Sequence, residues 1–169
     1  VAFTKSGLYV HTLQEFLKGT ALTTGTMRLT DTGAKISLLS SAPTDGSGLA
    51  NFSSATPNWA NTNEISGTGW ATGGVALSAA ASGATSTAPT VAEGTAGAVR
   101  WDMADIAVSG TTLSLAHACL IYADPVTAPS DLVDALWILV NFGADFSTVA
   151  GIFGIQWSAT GLTEIDITP

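Results

Sequence analysis

Few residues in this chain have the chemistry to act on another molecule. There are two histidines, His11 and His117, one cysteine, Cys119, and two close carboxylate pairs, Asp102/Asp105 and Asp131/Asp134. A serine nucleophile would want a G-x-S-x-G elbow, and none is present. A zinc site needs three or four converging His, Cys or acidic ligands, which two distant histidines and one apolar cysteine do not supply. Cys119 sits in the apolar run 115–122, where a thiol behaves as a small hydrophobe; a reactive thiol would want a cationic neighbour. His117 lies inside the same run and reads as a strand or interface histidine, and His11 as a solvated one. The aspartate pairs match no calcium-loop spacing, and aspartate at a strand end commonly hydrogen-bonds its own turn. No catalytic residue, cofactor or metal ligand is therefore expected.

The remaining candidate is the segment 63–77, NEISGTGWATGGVAL. Three residues separate Gly69 from Gly73, so G-x-G-x-x-G is not satisfied. The Lys-Ser/Thr of a P-loop is missing, and no helix follows to offer its amino-terminal amides. Tryptophan beside glycine can stack a sugar, and the chain has five tryptophans: Trp59, Trp70, Trp101, Trp137 and Trp157. All but Trp59 lie within or beside strand-like runs, where aromatics fill core. The segment reads as architecture: Gly67, Gly69, Gly73 and Gly74 supply turns, bulges and close backbone crossings, and Trp70 anchors them.

The elements that must carry these residues follow from pattern. At 169 residues the chain is expected to form one domain, 1–169. An arm and helix fill 1–20, and a β-sandwich fills 21–169. Leu8, Thr12, Leu13, Phe16 and Leu17 recur at three- and four-residue spacing, which predicts a helix over 7–18 closed by Lys18 and Gly19. Beyond it, short strands are expected at 26–29, 34–40, 74–80, 98–103, 106–108, 112–122, 136–142, 153–157 and 164–167. A loop is expected over 41–57, and a flexible loop or weak edge strand through the Ser/Ala/Thr/Gly tract 80–90. Short strands divided by turn residues, with one helix, predict a mainly β fold: an antiparallel sandwich or barrel-like domain.

Composition bears on partners. Only 11% of residues are charged, with a net charge of −8, against about 25% charged in a typical domain. The five basic residues stand singly, so no patch could neutralise a phosphate backbone, and nucleic acid is not an expected partner. Mean hydropathy is +0.38, yet no apolar run is longer than 135–140, far short of the ~20 residues of a spanning helix. The amino terminus lacks a basic stretch leading into an apolar one, so no signal peptide is expected. A free monomer ordinarily keeps more charge on its surface, and this composition points to a subunit of an assembly.

The segment N63-E64-I65-S66-G67-T68-G69-W70-A71-T72-G73-G74-V75-A76-L77 resembles a recurrent element of small tailed-bacteriophage virion proteins, N-E-[V/I]-S-G-T-G-Y-x-x-G-G-x-x-L. L13-x-x-F16-L17-x-G19 and K35-I36-S37-L38-L39 upstream are similar to the helix and first strand of that family. So, downstream and in the expected order, are R100–V108, A118–Y122, L139–G143 and F153–L162. The resemblance covers nearly the whole chain. Trp70 stands where tyrosine is usual, the loop 79–98 is longer, and Val108-Ser-Gly replaces a tryptophan, which leaves the outer loops least like the family.

The resemblance implies a non-enzymatic virion structural protein, made in the host cytoplasm. The expected role is a head decoration or minor capsid protein that binds the major capsid protein and stabilises its lattice, as a homo-oligomer such as a trimer on the head surface. The helix, through Leu8, Leu13, Phe16 and Leu17, would be a docking arm. A tail or tail-tip protein, or a displayed receptor- or glycan-binding module, are the alternatives.

Overall fold

The computed structural model describes residues 6–10, 13–14, 34–40, 63–77, 90–94, 97–123, 136–158 and 163–166. The described residues are mainly β, in two antiparallel sheets, and form no closed barrel. In chain order the strands are β1 (Gly7–Leu8), β2 (Ala34–Ser40), β3 (Glu64–Ile65), β4 (Val75–Ala76), β5 (Thr90–Glu93), β6 (Ala98–Asp102), β7 (Ile106–Ala123), β8 (Leu136–Ile155) and β9 (Thr163–Asp166). The larger sheet runs β1-β8-β7-β2, with β3 and β4 sharing the outer edge of β2. The smaller sheet is β5-β6-β9.

β2 shows why the larger sheet is covered on both faces. Ala34, Ile36 and Leu38 point to one face and Ser37 and Leu39 to the other, and all five are buried. On the first face the core gathers Ile36, Leu38, Cys119, Ile121 and Ile138 with Trp70, Trp101 and Trp137. On the second, Leu39 packs with Tyr9, Leu120, Tyr122, Leu136 and Leu139.

β7 and β8 are far longer than the runs 112–122 and 136–142 expected from the sequence, at 18 and 20 residues. They pair from Ile106↔Ile155 to Tyr122↔Leu136, and their register shifts repeatedly between Val108 and Ala118. Bulges bend a strand pair and raise its twist. Here the bend turns the distal half of the ribbon back over the first face, so Ile106, Val108, Phe153 and Ile155 enter the same core as Ile121 and Ile138. Hydroxyl groups hold the turn. Leu115 and Ala150, at φ 59° and 49°, take a conformation unfavourable for residues with a Cβ. Ser147 Oγ accepts the Leu115 N–H at 3.0 Å and Thr112 Oγ1 accepts the Ala150 N–H at 3.1 Å. The buried Thr111 hydroxyl meets Thr148 Oγ1 at 2.9 Å and donates to the Gly151 carbonyl at 3.2 Å.

The expected amino-terminal helix is not an element of the described residues. Gly7 and Leu8 pair with Leu139 and Ile138 as a strand, because an exposed sheet edge offers backbone partners that a helix start leaves unmet. Leu13 N–H reaches the Tyr9 carbonyl at 3.2 Å, a single helical bond. Of the proposed docking residues, Leu8 packs against the first-face core, Leu13 is exposed, and Phe16 and Leu17 lie outside the described residues. The expected strand 26–29 and loop 41–57 also lie outside them.

The small sheet meets the large one through Trp101, whose ring stands edge-on to Trp137 at 5.5 Å and 61°. Trp101→Ala should cost about 3–5 kcal/mol. Hydrogen exchange should also accelerate across β6 more than across β2, because Trp101 joins the small sheet to the larger core. Equal acceleration in both strands would show that the joint lies elsewhere.

Candidate functional site

The glycine-rich segment forms an edge strand with an interruption. Glu64 and Ile65 pair with Leu39 and Leu38, and Val75 and Ala76 pair with Ile36 and Lys35. One antiparallel strand thus runs past β2, and opposite Ser37 it opens into the excursion 66–74. At its start Asn63, at φ 63°, accepts the Ser40 N–H at 3.1 Å; asparagine is among the residues that tolerate this conformation best.

Within the excursion, Gly67 and Trp70 exchange two backbone hydrogen bonds at 2.8 and 3.1 Å, closing a tight turn over Thr68 and Gly69. Gly69, at φ 79°, occupies the third turn position, where positive φ favours glycine. The turn leans on β7, because the Thr112 N–H donates to the Thr68 carbonyl at 3.0 Å. Trp70 then drops into the first-face core. It is fully buried, edge-on to Phe153 at 5.7 Å and 76°.

The return leg is fixed on the second face. Glu64 Oε1 accepts the Gly73 N–H at 2.7 Å, and Tyr122 donates its hydroxyl to the Gly73 carbonyl at 2.6 Å. Gly74 passes so close to β2 that a methyl group there would overlap the Ile36 carbonyl oxygen. The buried Ser37 hydroxyl lies beside the Glu64 carboxylate without meeting it in good hydrogen-bond geometry. Burial raises the Glu64 pKa above the usual 4.5, and the amides of Gly73 and Gly74 together with Ser37 oppose that rise without cancelling it.

The structure thus brings Asn63, Glu64, Gly67, Gly69, Trp70, Gly73 and Gly74 into one edge device. Sequence reasoning missed Ser37 and Tyr122. Tyr122 ends an apolar run, and nothing local marks its hydroxyl as the clasp of a loop far away in the chain. A depression of about 310 Å³ beside the turn is lined by Gly67, Gly69, Trp70, Ala71, Gly74, Val75 and Ala76. It presents backbone and small side chains, and the ring of Trp70 is too buried to stack a sugar.

The other candidates fall into structural roles. Asp102 Oδ1 accepts the Met103 N–H at 2.8 Å within its own turn, whereas Asp105 Oδ1 reaches across the fold to accept the Trp157 N–H at 2.9 Å. His117 Nδ1 lies 2.8 Å from Asp145 Oδ1 across the ribbon. Cys119 is fully buried, and desolvation pushes its thiol well above the ordinary range, away from the reactive thiolate. Trp101 and Trp137 are buried, and Trp157 donates its indole N–H to the Ala104 carbonyl at 3.1 Å. His11, Trp59, Asp131 and Asp134 lie outside the described residues. Among the described residues no three His, Cys, Asp or Glu side chains gather where they could hold a metal, and no helix is long and apolar enough to cross a membrane. No family model, curated protein or solved structure matches the chain.

Two measurements test this construction. Gly73 and Gly74 have similar φ angles of 85° and 71°, but a methyl group at Gly73 would meet nothing nearer than the Tyr122 hydroxyl at 3.9 Å. Gly73→Ala should therefore cost only the left-handed penalty of about 1–2 kcal/mol, and Gly74→Ala clearly more, by urea denaturation. Equal losses would mean that the close approach to Ile36 is not a constraint. For Glu64, the unfolded chain ionises before the folded one as pH rises, so its contribution is fully present below the usual pKa and lost through the raised one. Glu64→Gln keeps an acceptor for Gly73. Its stability relative to the parent should begin to rise once pH passes the usual value of 4.5 and go on rising through the raised one, and a difference that does not change with pH would rule out the desolvation account.

Proposed function

We propose that this chain is a non-enzymatic structural subunit of a tailed-bacteriophage virion, acting as a head decoration or minor capsid protein. The observation that carries this reading is the fate of its one motif. The segment 63–77, through which the chain resembles phage virion proteins, is spent on its own fold. Trp70 lies in the core, the Glu64 carboxylate is tied to Gly73, and Gly67 and Gly74 lie against neighbouring backbone. What such a subunit offers a partner is surface.

The described surface suits that role. The ribbon satisfies its polar groups with hydroxyls and carries few charges, and large apolar side chains such as Val149 and Ile152 remain exposed. A subunit of this kind would bind the major capsid protein by burying neutral surface across neighbouring copies, which resists outward pressure without chemistry. The burial of Trp70 speaks against glycan recognition through this motif.

The test is localisation in an electron-microscopy map of the particle, paired with binding of purified protein to empty capsids. Head-surface density and saturable capsid binding are expected. Density confined to the tail would transfer the chain to the tail, and absence from the particle would end the virion reading.

A further inference from the structure

We propose that Glu64 is a proton-operated latch on the return leg of the excursion, residues 71–74. The neutral acid holds the leg against β2, and ionisation lets it swing out while Trp70 stays in the core. The leg is tied to the sheet chiefly at Gly73, whose N–H goes to Glu64 Oε1 at 2.7 Å and whose carbonyl takes the Tyr122 hydroxyl at 2.6 Å. No ladder holds it, because the strand beside β2 stops at Ile65 and resumes at Val75. The Gly74 N–H turns inward to the Ala71 carbonyl at 3.0 Å, and Ala71 and Thr72 are exposed. A segment with so few ties opens at a lower cost than the sheet that carries it. Trp70, fully buried against Phe153, marks where the movement stops.

The carboxyl is lodged where a charge is poorly served. Oε1 has the Gly73 N–H, but Oε2 is fully buried with no hydrogen-bond partner, and the buried Ser37 hydroxyl beside it also lacks one. An ionised carboxylate has about four lone-pair sites to fill, and a buried charge is costly unless it is paired. The charged or titratable side chains on this face, among the described residues, are Lys35 of β2, Tyr122 of β7 and Tyr9 beside β1. None of their charges acts on Glu64: burial raises its pKa, and only the amides of Gly73 and Gly74 and the Ser37 hydroxyl oppose the rise. Linkage fixes the direction. The closed form gains from the carboxyl below the usual 4.5, and loses that gain as pH climbs through the raised value. Releasing the leg returns the carboxylate to water and gives up two hydrogen bonds at Gly73, whereas the β2–β7 ladder stays intact. The latch does not depend on the role proposed above.

Nuclear magnetic resonance of the purified chain tests it, by following the Glu64 carboxyl carbon and amide hydrogen exchange as pH is raised from the usual carboxyl value. Protection of each amide is taken relative to the unfolded chain at the same pH. The Gly73 amide should lose protection several-fold in step with the Glu64 titration, while the amides of Trp70 and of Ile121 in β7 keep theirs. Glu64→Gln retains an acceptor for Gly73 but cannot ionise, so its Gly73 protection should stay level across the same range. Tyr122→Phe removes the other tie, and should lower Gly73 protection at every pH while leaving the pH dependence in place. In the parent alone, Gly73 protection that ignores the Glu64 titration would overturn the proposal. So would a loss shared equally by Ile121, which is unfolding of the sheet, or by Trp70, which is movement of the whole excursion. A Glu64→Gln variant with the parent's pH dependence would overturn it as well.

Discussion

Everything in this fold depends on the β7–β8 ribbon bending back over its own sheet. A flat pair of this length would leave one face of the larger sheet exposed. The bend instead brings Ile106, Val108, Phe153 and Ile155 over Ile121 and Ile138, and makes a pair of strands serve as both layers of a core. Two residues with side chains, Leu115 and Ala150, adopt positive φ to allow it. That strain is tolerable because Ser147 and Thr112 supply hydrogen bonds where the ladder fails.

The excursion 66–74 answers to the same bend. Its turn hydrogen-bonds Thr112 within the bent region, and its tryptophan packs on Phe153 from the returning half. The edge device and the ribbon therefore lock each other: the excursion wedges under the ribbon from the β2 edge, while Glu64 and Tyr122 hold its base on the opposite face. Neutral polar groups do most of this work. In a chain so poor in charge, serine and threonine hydroxyls satisfy the backbone groups that the bend takes out of the ladder. The same chemistry keeps the ribbon poor in charge, with Asp145 the one Asp, Glu, Lys or Arg in β7 and β8.

Much of this was legible in the sequence, and what was not has identifiable causes. The alternation of Ile36 and Leu38 marked β2, and the glycine spacing around Trp70 suggested an architectural crossing while leaving open whether Trp70 anchors in the core or against a neighbouring subunit. The length of β8 was hidden because Gly143, Ala144, Ala150 and Gly151 interrupt the apolar pattern, and only the tertiary bend explains small residues inside a strand. The helix over 7–18 was over-read at its start. Spacing alone cannot reveal that Gly7 and Leu8 would find backbone partners at Leu139 and Ile138, near the far end of the chain. Clasp residues such as Tyr122 are invisible for the same reason, since their partners are distant in sequence and near only after folding.

That last pairing also bears on the order of assembly. β7 and β8 are neighbours in the chain and can zip up with a modest loop-closure cost, whereas β1 must wait for a sheet edge built almost entirely from later residues. On a ribosome, which releases the amino terminus first, β1 emerges long before its docking place exists. Of the described strands, β1 is thus the earliest made and among the last to find its partner. Until β8 has been synthesised, the edge that will receive it does not exist.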